Sequence, residues 1–353
     1  MSTLKAINLV HPTSATNNIV LDSSGNMTAG GTLAMSSSFM RNRIINGAMV
    51  IDQRNAGASG TAQAYTVDRW GYYATQASKG TWGQDLGAVA SPAGFSDYLG
   101  FSSSSAYSVI SSDSFIFNQS IEGFNISDFG WGAAGAQSVT LSFWVRSSLT
   151  GTHSGSLRNG TVTRSYVFSF TVSAANTWEY KTITIPGDTS GTWIVNNGLG
   201  VALSFSLGNG STYTTTAGAW TAGNFVAATG SVNVVGTNGA TFYITGVQLE
   251  VGTVATPFER EIYSNTLAKC QRYYQTGQAK LFGYTISTNA IGYQFPFKTS
   301  MRTAPVISPS FTYFNAGSGT VYEISTNDAF FQVTATATSV ITFTCPFTAS
   351  AEL

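Results

Sequence analysis

Short apolar runs that alternate with polar residues recur along most of the chain, and clusters of Gly, Asn, Ser and Asp separate them. A period of two residues indicates β-strands with one buried face. In SVTLSFWVRSS, residues 138–148, the buried face is predicted to hold Val139, Leu141, Phe143 and Val145. Further strands are predicted in RSYVFSFTVS, WEYKTITIPGD, LGVALSFSLGNGS and GATFYITGVQLEVG. The pattern predicts an all-β protein built on an antiparallel sandwich or barrel.

The same pattern divides the chain into three parts. Residues 1–40 are poor in apolar side chains, which predicts an extended N-terminal segment. Residues 41–262 form the predicted sandwich, whose first strand is expected in RNRIINGAMVIDQRN, residues 41–55. Charged residues and apolar residues at helical spacing predict one short helix around 260–270. Further alternating runs predict a smaller C-terminal β domain over residues 263–353.

Composition narrows the classes of partner. The 353 residues carry no net charge, and only 9% of them are charged. No basic field is available for nucleic acid or an anionic membrane, and no apolar run is long enough for membrane insertion. A surface of Ser, Thr, Asn and Gly suits hydrogen bonding to an uncharged ligand such as carbohydrate, or close packing of chains. A β-rich protein with many loops explains the same numbers.

The residues that most often carry catalysis are scarce. Cys270 and Cys345 are read as free thiols, which fits assembly in a reducing cytoplasm, although one bridge is possible if the two are neighbours. His11 lies in the N-terminal segment and His153 in a predicted turn, TGTHSGS. Neither has the spacing of a metal site, and no nucleophile elbow or closely spaced pair of carboxylates is visible. A non-enzymatic role is therefore favoured, and no secretory signal is expected in MSTLKAINLVHP.

Aromatic side chains are the candidate ligand-binding residues. The segment VDRWGYY supplies Asp68, Arg69, Trp70, Tyr72 and Tyr73. The favoured alternative is that Asp68 pairs with Arg69 while Trp70 fills the core, because Trp is usually mostly buried.

Further candidates are tryptophans beside glycines and aromatics in a long polar loop. They are Trp82, Trp131, Tyr213 and Trp220. Trp144 and Arg146 project from the polar face of their strand, which predicts cover by another strand of the sandwich or by a neighbouring subunit.

Several motifs occur in an order that resembles phage tail-fibre-like proteins of the marine type. They are RNRIINGAMVIDQRN, YTVDRWGYY, QSIEG, FGWG, VTLSFWVRSSLTGT, NTWEYKTITIPGDTSGTW, GATFYITGVQLEVGTVATPFE, CQRYYQ, MRTAPVIS and ASAEL. The resemblance covers roughly residues 41–353, and NNIVLDSSGNMTAGG is similar to shaft or anchor segments of such fibres. Phe129 stands where Leu is expected. The resemblance implies a virion protein.

A second resemblance is to jelly-roll carbohydrate-binding modules. It rests on four segments in the same order: Ile45–Gly47, Leu141–Arg146, Thr177–Trp178 and Phe242–Glu250. It implies a jelly-roll β-sandwich. By the same analogy a structural calcium ion is possible, and its oxygen ligands would come from Asp68, Asp188 and Glu250. No other cofactor is expected.

These resemblances imply a homotrimeric tail fibre, assembled in the host cytoplasm, that binds a host surface glycan or protein without catalysis. Residues 1–40 would form a trimeric shaft or virion anchor that contacts other virion proteins, with Ile19, Val20 and Leu21 in the subunit interface. A head fibre, capsid decoration or adaptor with a purely structural role is the alternative. A polysaccharide esterase or glycosidase is a third and less favoured one.

Overall fold

The computed structural model describes residues 8–9, 19–21, 23, 27–29 and 40–353. The chain divides into two units, Met1–Arg41 and Asn42–Leu353. The first unit contains three short strands, β1 (Asn8–Leu9), β2 (Ile19–Leu21) and β3 (Met27–Ala29), which pair antiparallel in the order β1-β2-β3. The rest of the predicted shaft, with His11, lies outside the described residues.

The second unit begins with a sandwich of a seven-stranded and a five-stranded sheet. Its strands are β4 (Ala64–Tyr65), β5 (Trp70–Ala74), β6 (Gly80–Gln84), β7 (Leu99–Ser103), β8 (Ser114–Glu122), β9 (Val139–Ser147), β10 (Gly151–Asn159), β11 (Arg164–Val172), β12 (Glu179–Ile185), β13 (Leu199–Asn209), β14 (Thr214–Thr215), β15 (Trp220–Ala222), β16 (Ala227–Ala228) and β17 (Thr241–Val251). The seven-stranded order is β15-β11-β10-β13-β8-β5-β4, and the five-stranded order is β12-β9-β17-β7-β6. Strands β14 and β16 form a separate parallel pair. Two 3-10 helices span Gly123–Phe129 and Ser211–Tyr213.

The core lies between the two sheets. Val139, Leu141, Phe143 and Val145 of β9 are fully buried, which confirms the predicted face. Phe143 meets Phe170 and Phe205 of the opposite sheet, with ring centroids 5.0 and 4.9 Å apart. Two antiparallel sheets that enclose one aromatic core confirm the predicted all-β jelly-roll sandwich.

The segment 41–55 is not the predicted strand. It forms a series of turns, in which Asn46 and Met49 adopt φ of 58° and 63°. The Asn46 side chain explains this path, because its amide donates to the carbonyls of Ile51 and Asp68 and accepts from the Ile51 amide. Side-chain hydrogen bonds therefore replace the backbone hydrogen bonds of the β-strand that the apolar pattern predicted.

The prediction of a turn in TGTHSGS, residues 150–156, is also wrong, since all of it after Thr150 belongs to β10. Its inward residues are His153, Gly155 and Leu157, so only one of three is strongly apolar. A Cβ at Gly155 would lie 2.5 Å from the Phe168 ring, so glycine makes room for that aromatic side chain. The apolar contribution at this site therefore comes from a neighbouring strand.

One helix, α1 (Tyr263–Gln271), confirms the prediction around 260–270. It leads into two further sheets built from β18 (Tyr274–Thr285), β19 (Ala290–Pro296), β20 (Val306–Pro309), β21 (Thr312–Phe314), β22 (Ala316–Tyr322), β23 (Asp328–Ala335) and β24 (Ser339–Ser350). One sheet has the order β18-β24-β20, with β21 also on β24, and the other has the order β19-β23-β22. Their facing sides share a core in which Phe331 and Phe347 lie 4.7 Å apart. Cys270 and Cys345 are both free and buried.

Candidate functional site

The segment VDRWGYY lies where the sandwich meets the C-terminal strands. Trp70 and Tyr72 are fully buried in the sandwich core. Arg69 does not pair with Asp68; it forms an ion pair with Glu352 and stacks on Tyr273, with the guanidinium 3.5 Å from the ring centre. Four residues of the predicted binding surface are therefore enclosed by protein.

Asp68 is held by the turn segment instead. Gln53 donates to it from its backbone, at 2.9 Å, and from its side chain. Arg54 lies 3.8 Å away and also pairs with Glu352 at 2.9 Å. Burial raises the pKa of Asp68, and the contacts with Gln53 and Arg54 oppose that effect.

A second set of contacts holds the sandwich and the C-terminal strands together. Arg272 donates twice to Glu122, at 2.9 and 2.6 Å, and the Tyr273 hydroxyl donates to it at 2.6 Å. Burial acts to raise the pKa of Glu122, but the hydrogen bonds from Arg272 and Tyr273 outweigh it and lower the pKa. The motifs YTVDRWGYY, QSIEG, CQRYYQ and ASAEL thus meet at one buried interface. We call the contacts of Arg54, Arg69, Glu122, Arg272 and Glu352 the joint.

Trp131 and Trp220 come together with Trp193, a residue that the sequence did not single out. The Trp131 ring lies 4.6 Å from Trp193 and 5.1 Å from Trp220. The three indole N–H groups donate to backbone carbonyls of the same chain. Trp82 is buried and donates to the Ala62 carbonyl. These contacts give the tryptophans a packing role, and Trp220 keeps partial exposure.

The three residues suggested for calcium each have protein partners. Asp188 accepts two hydrogen bonds from Arg164, at 2.8 and 2.7 Å, and Glu250 accepts from Gln248 and Thr256. Among the described residues, no group of three or more His, Cys, Asp or Glu side chains could hold a metal ion. His153 is stacked between Phe170 and Phe242, and burial lowers its pKa.

An open aromatic groove lies on the outer face of the five-stranded sheet. Trp144 of β9 and Tyr180 of β12 are cross-strand partners, and their rings lie 5.4 Å apart. Thr182, Gly246 and residues 254–258 complete much of the lining, and the groove encloses about 690 Å³. Tyr180 is 44% exposed, whereas Trp144 is half-buried. We call this surface the aromatic groove.

One end of the aromatic groove carries a positive charge. The Arg260 guanidinium lies 4.9 Å from the ring centre of Phe95 and 5.9 Å from that of Phe258. Arg260 is exposed and has no ion pair with a described residue. The groove therefore combines apolar ring faces with hydroxyl and guanidinium donors, a combination suited to a polyhydroxylated ligand.

The sequence found part of this groove. Trp144 was singled out as a residue to be covered by another strand or by a neighbouring subunit, and Tyr180, Phe95 and Arg260 were not singled out. They come from three separate segments that only the fold brings together. Arg146, the other residue predicted for an interface, is half-buried, donates to the Asn176 carbonyl and lies over Tyr243. Tyr73 and Tyr213 are half-buried outside the groove.

A separate apolar surface lies on the outer face of the C-terminal sheet. Phe282 and Phe314 flank Thr342 in one row, and Tyr284 pairs with Val340 in the next. Phe282, Tyr284 and Phe314 are 76%, 68% and 64% exposed. Contiguous apolar patches of this kind mark interaction surfaces in soluble proteins. No helix within the described residues is long and apolar enough to cross a membrane.

No protein-family model matches this chain, and neither does any curated protein. Among solved structures, an enzymatically active domain of tailspike protein 4 from bacteriophage CBA120 is 13% identical, with a TM-score of 0.31. The match covers 61% of this chain and 22% of that chain. The module TmCBM61, solved with β-1,4-galactotriose, is 10% identical over 60% of this chain and 99% of its own, with a TM-score of 0.30.

A family 11 carbohydrate-binding module from Clostridium thermocellum, solved with a mixed-linked tetrasaccharide, is 14% identical. That match covers 56% of this chain and 98% of the module, with a TM-score of 0.27. The similar structures thus comprise carbohydrate-binding modules and a phage tailspike domain.

Proposed function

We propose that the protein is a non-catalytic phage virion fibre that binds a host surface glycan through the aromatic groove. The observation that carries the proposal is the Trp144–Tyr180 pair, two aromatic rings presented in an open groove on a surface with few charges. Ring faces pack against the apolar faces of sugars, while the hydroxyls of Tyr180 and Thr182 and the Arg260 guanidinium bind sugar hydroxyls. The ordered fibre-like motifs in the sequence support the virion context.

The proposal includes a homotrimer assembled in the host cytoplasm and attached to other virion proteins by its N-terminal segment. The exposed apolar face around Phe282, Tyr284 and Phe314 supports self-association, because burying it would remove large aromatic side chains from water. Three groove sites on one body would bind a repetitive surface with far higher avidity than one.

Glycan binding is tested with purified full chain on an array of bacterial surface glycans. Trp144→Ala and Tyr180→Ala remove the two rings, and we expect each to weaken binding about 30-fold, the effect of losing about 2 kcal/mol at an aromatic hot spot. Phe124→Ala is the control, because Phe124 is 57% exposed and does not line the groove. Binding that survives both groove changes would refute the site.

The receptor role is separated from a purely structural one by a host-adsorption assay. Purified chain should compete with virions for the host surface, and the Trp144→Ala chain should not. A chain that binds glycans but leaves adsorption unchanged would favour the head-fibre, capsid-decoration or adaptor alternative. Release of reducing ends or ester groups from the bound polysaccharide would contradict the non-catalytic assignment.

A further inference from the structure

The outer face of the seven-stranded sheet is polar although it is largely covered. Across four strands, Gly71, Asn118, Ser204 and Ser156 lie side by side in one row of the sheet. Their neighbours along the strands, such as Phe117 and Leu203, point into the sandwich core. Asn118 and Ser204 are 7% and 0% exposed. A buried polar floor of this kind requires hydrogen-bond partners for its side chains.

Arg158 reaches over this floor from the next row. Its Nη1 donates to Asn224 Oδ1 at 2.7 Å, and its Nη2 donates to Ser204 Oγ at 3.0 Å. The Ser204 hydroxyl donates in turn to Asn118 Oδ1 at 2.9 Å. Arg158 Nε is buried and finds no acceptor among the described residues. A guanidinium has five N–H donors, and within residues 40–353 only two of those on Arg158 meet a protein acceptor.

The charge of Arg158 is uncompensated, which sets it apart from the other arginines enclosed by protein. Arg54, Arg69, Arg164 and Arg272 each contact a carboxylate. Arg158 contacts no carboxylate among the described residues, and burial lowers its pKa to about 10. Part of the Arg158 side chain is enclosed without a carboxylate, which is costly, and such a group is a candidate for binding an external anion. Arg158 is only half-buried, so a ligand can reach it from solvent.

Tyr73 adds an aromatic wall on the same face. A Cβ at Gly71 would lie 2.6 Å from the Tyr73 ring, so the ring lies over this glycine and next to Asn118 in the same row. Tyr73 is half-buried and close enough to Arg158 to influence its charge. Of the aromatic residues in VDRWGYY, Tyr73 alone keeps an accessible side chain.

We propose that Arg158, together with Asn224 and Tyr73, binds a singly negative group carried on a sugar ring. The buried Ser204 and Asn118 hold the guanidinium in place from below. A single guanidinium matches a single negative charge, and the Asn224 amide and the Tyr73 hydroxyl match sugar hydroxyls. A nucleic-acid backbone would need several cations, which this surface lacks. The anion is a carboxylate, as in a uronic acid, or a sulfate ester. This site lies on the sheet opposite the aromatic groove and goes beyond the glycan binding at that groove proposed above.

The experiment is calorimetric titration of the full chain with three probes of similar length. Tetragalacturonate carries carboxylates, a κ-carrageenan tetrasaccharide carries sulfates, and cellotetraose is neutral. We expect at least one acidic probe to bind, and its identity distinguishes the two anions. Arg158→Met keeps the aliphatic stem and should lower that affinity at least tenfold. Arg158→Lys keeps the charge but loses the planar fork, so it should retain part of the affinity.

Asn224→Asp is the sharper variant, because it places a carboxylate 2.7 Å from the guanidinium. It should raise the melting temperature and abolish binding of the acidic probe, since the new internal anion competes with the ligand. Phe124→Ala, at an exposed aromatic residue outside both sites, should leave this binding unchanged. Failure of the wild type to bind either acidic probe would overturn the proposal. So would unchanged acidic binding in Arg158→Met or Asn224→Asp.

Discussion

The joint gives the most direct test of how the two β regions are held together, through the substitution Glu352→Ala. The Glu352 side chain is only 7% exposed, and it is the carboxylate partner of both Arg54 and Arg69. Without it, Arg54 still lies 3.8 Å from Asp68. Among the described residues, Arg69, whose side chain is 1% exposed, then keeps only the Ser120 carbonyl and the Tyr273 ring. The substitution therefore leaves one guanidinium buried without an anion.

Breaking a buried ion pair from one side costs about 3–5 kcal/mol. Because Arg54 stays partly compensated, we expect the lower end of that range, about 3 kcal/mol of unfolding free energy. At about 2 °C for each kcal/mol in a protein of this size, the melting temperature should fall by about 6 °C. Differential scanning calorimetry measures this fall. Limited proteolysis should also cut residues 263–353 faster, since their attachment is weakened.

Asp128→Ala is the matched control for this substitution. Asp128 pairs with Arg43 at 2.6 Å, but its side chain is 53% exposed. Surface ion pairs contribute at most about 1 kcal/mol, so the control should shift the melting temperature by no more than about 2 °C. If Glu352→Ala shifted it no further than Asp128→Ala, the reasoning about the buried joint would be refuted.

Three further predictions concern titration, assembly and thiol reactivity. Glu122 has a lowered pKa in the folded chain, so its contribution to stability is present above its ordinary pKa of 4.5 and is lost as pH falls through the lowered value. Denaturant unfolding across pH 2–6 should therefore show a shallower acid loss in Glu122→Gln than in wild type. Phe282→Ser with Tyr284→Ser should reduce the mass of the assembly in light scattering, and an unchanged trimer would exclude this face as the subunit contact. Because burial raises the pKa of both the Cys270 and the Cys345 thiol, iodoacetamide should label them only after unfolding, as mass spectrometry can show.

Most of the fold can be predicted from the alternation of apolar and polar residues in the strands. In β9 the alternation of Leu141 and Phe143 with Ser142 and Trp144 is regular, and the burial follows it. The alternation gave a wrong prediction where a side chain takes the place of the backbone hydrogen-bond partners of a strand. Asn46 mimics a backbone partner and turns an apolar segment into a chain of turns. Asn46 also donates to the Asp68 carbonyl, 22 residues further along the chain, and an apolar–polar alternation does not register such side-chain bonds.

The candidate sites were less predictable for the same reason. Asp68 and Arg69 read as a local pair, yet their partners, Gln53 and Glu352, come from other parts of the chain. Arg158 lies just beyond the segment 150–156 that was misread as a turn, so the sequence did not place it on a sheet face. The same types of residue occur in ligand sites and in buried interfaces, so only the fold shows which role a given side chain has.

The two proposed sites lie on opposite sheets, and this placement limits how a glycan can use them. Trp144 faces outward from the five-stranded sheet, and Arg158 lies on the outer face of the seven-stranded sheet. A sandwich core about 10 Å thick separates such faces, so one short oligosaccharide cannot contact both. Saturating the aromatic groove with a neutral glycan that the array identifies as its ligand should then leave tetragalacturonate binding at the Arg158 site unchanged. Competition between these probes would require a single shared site, which would contradict the assignment of one of the two.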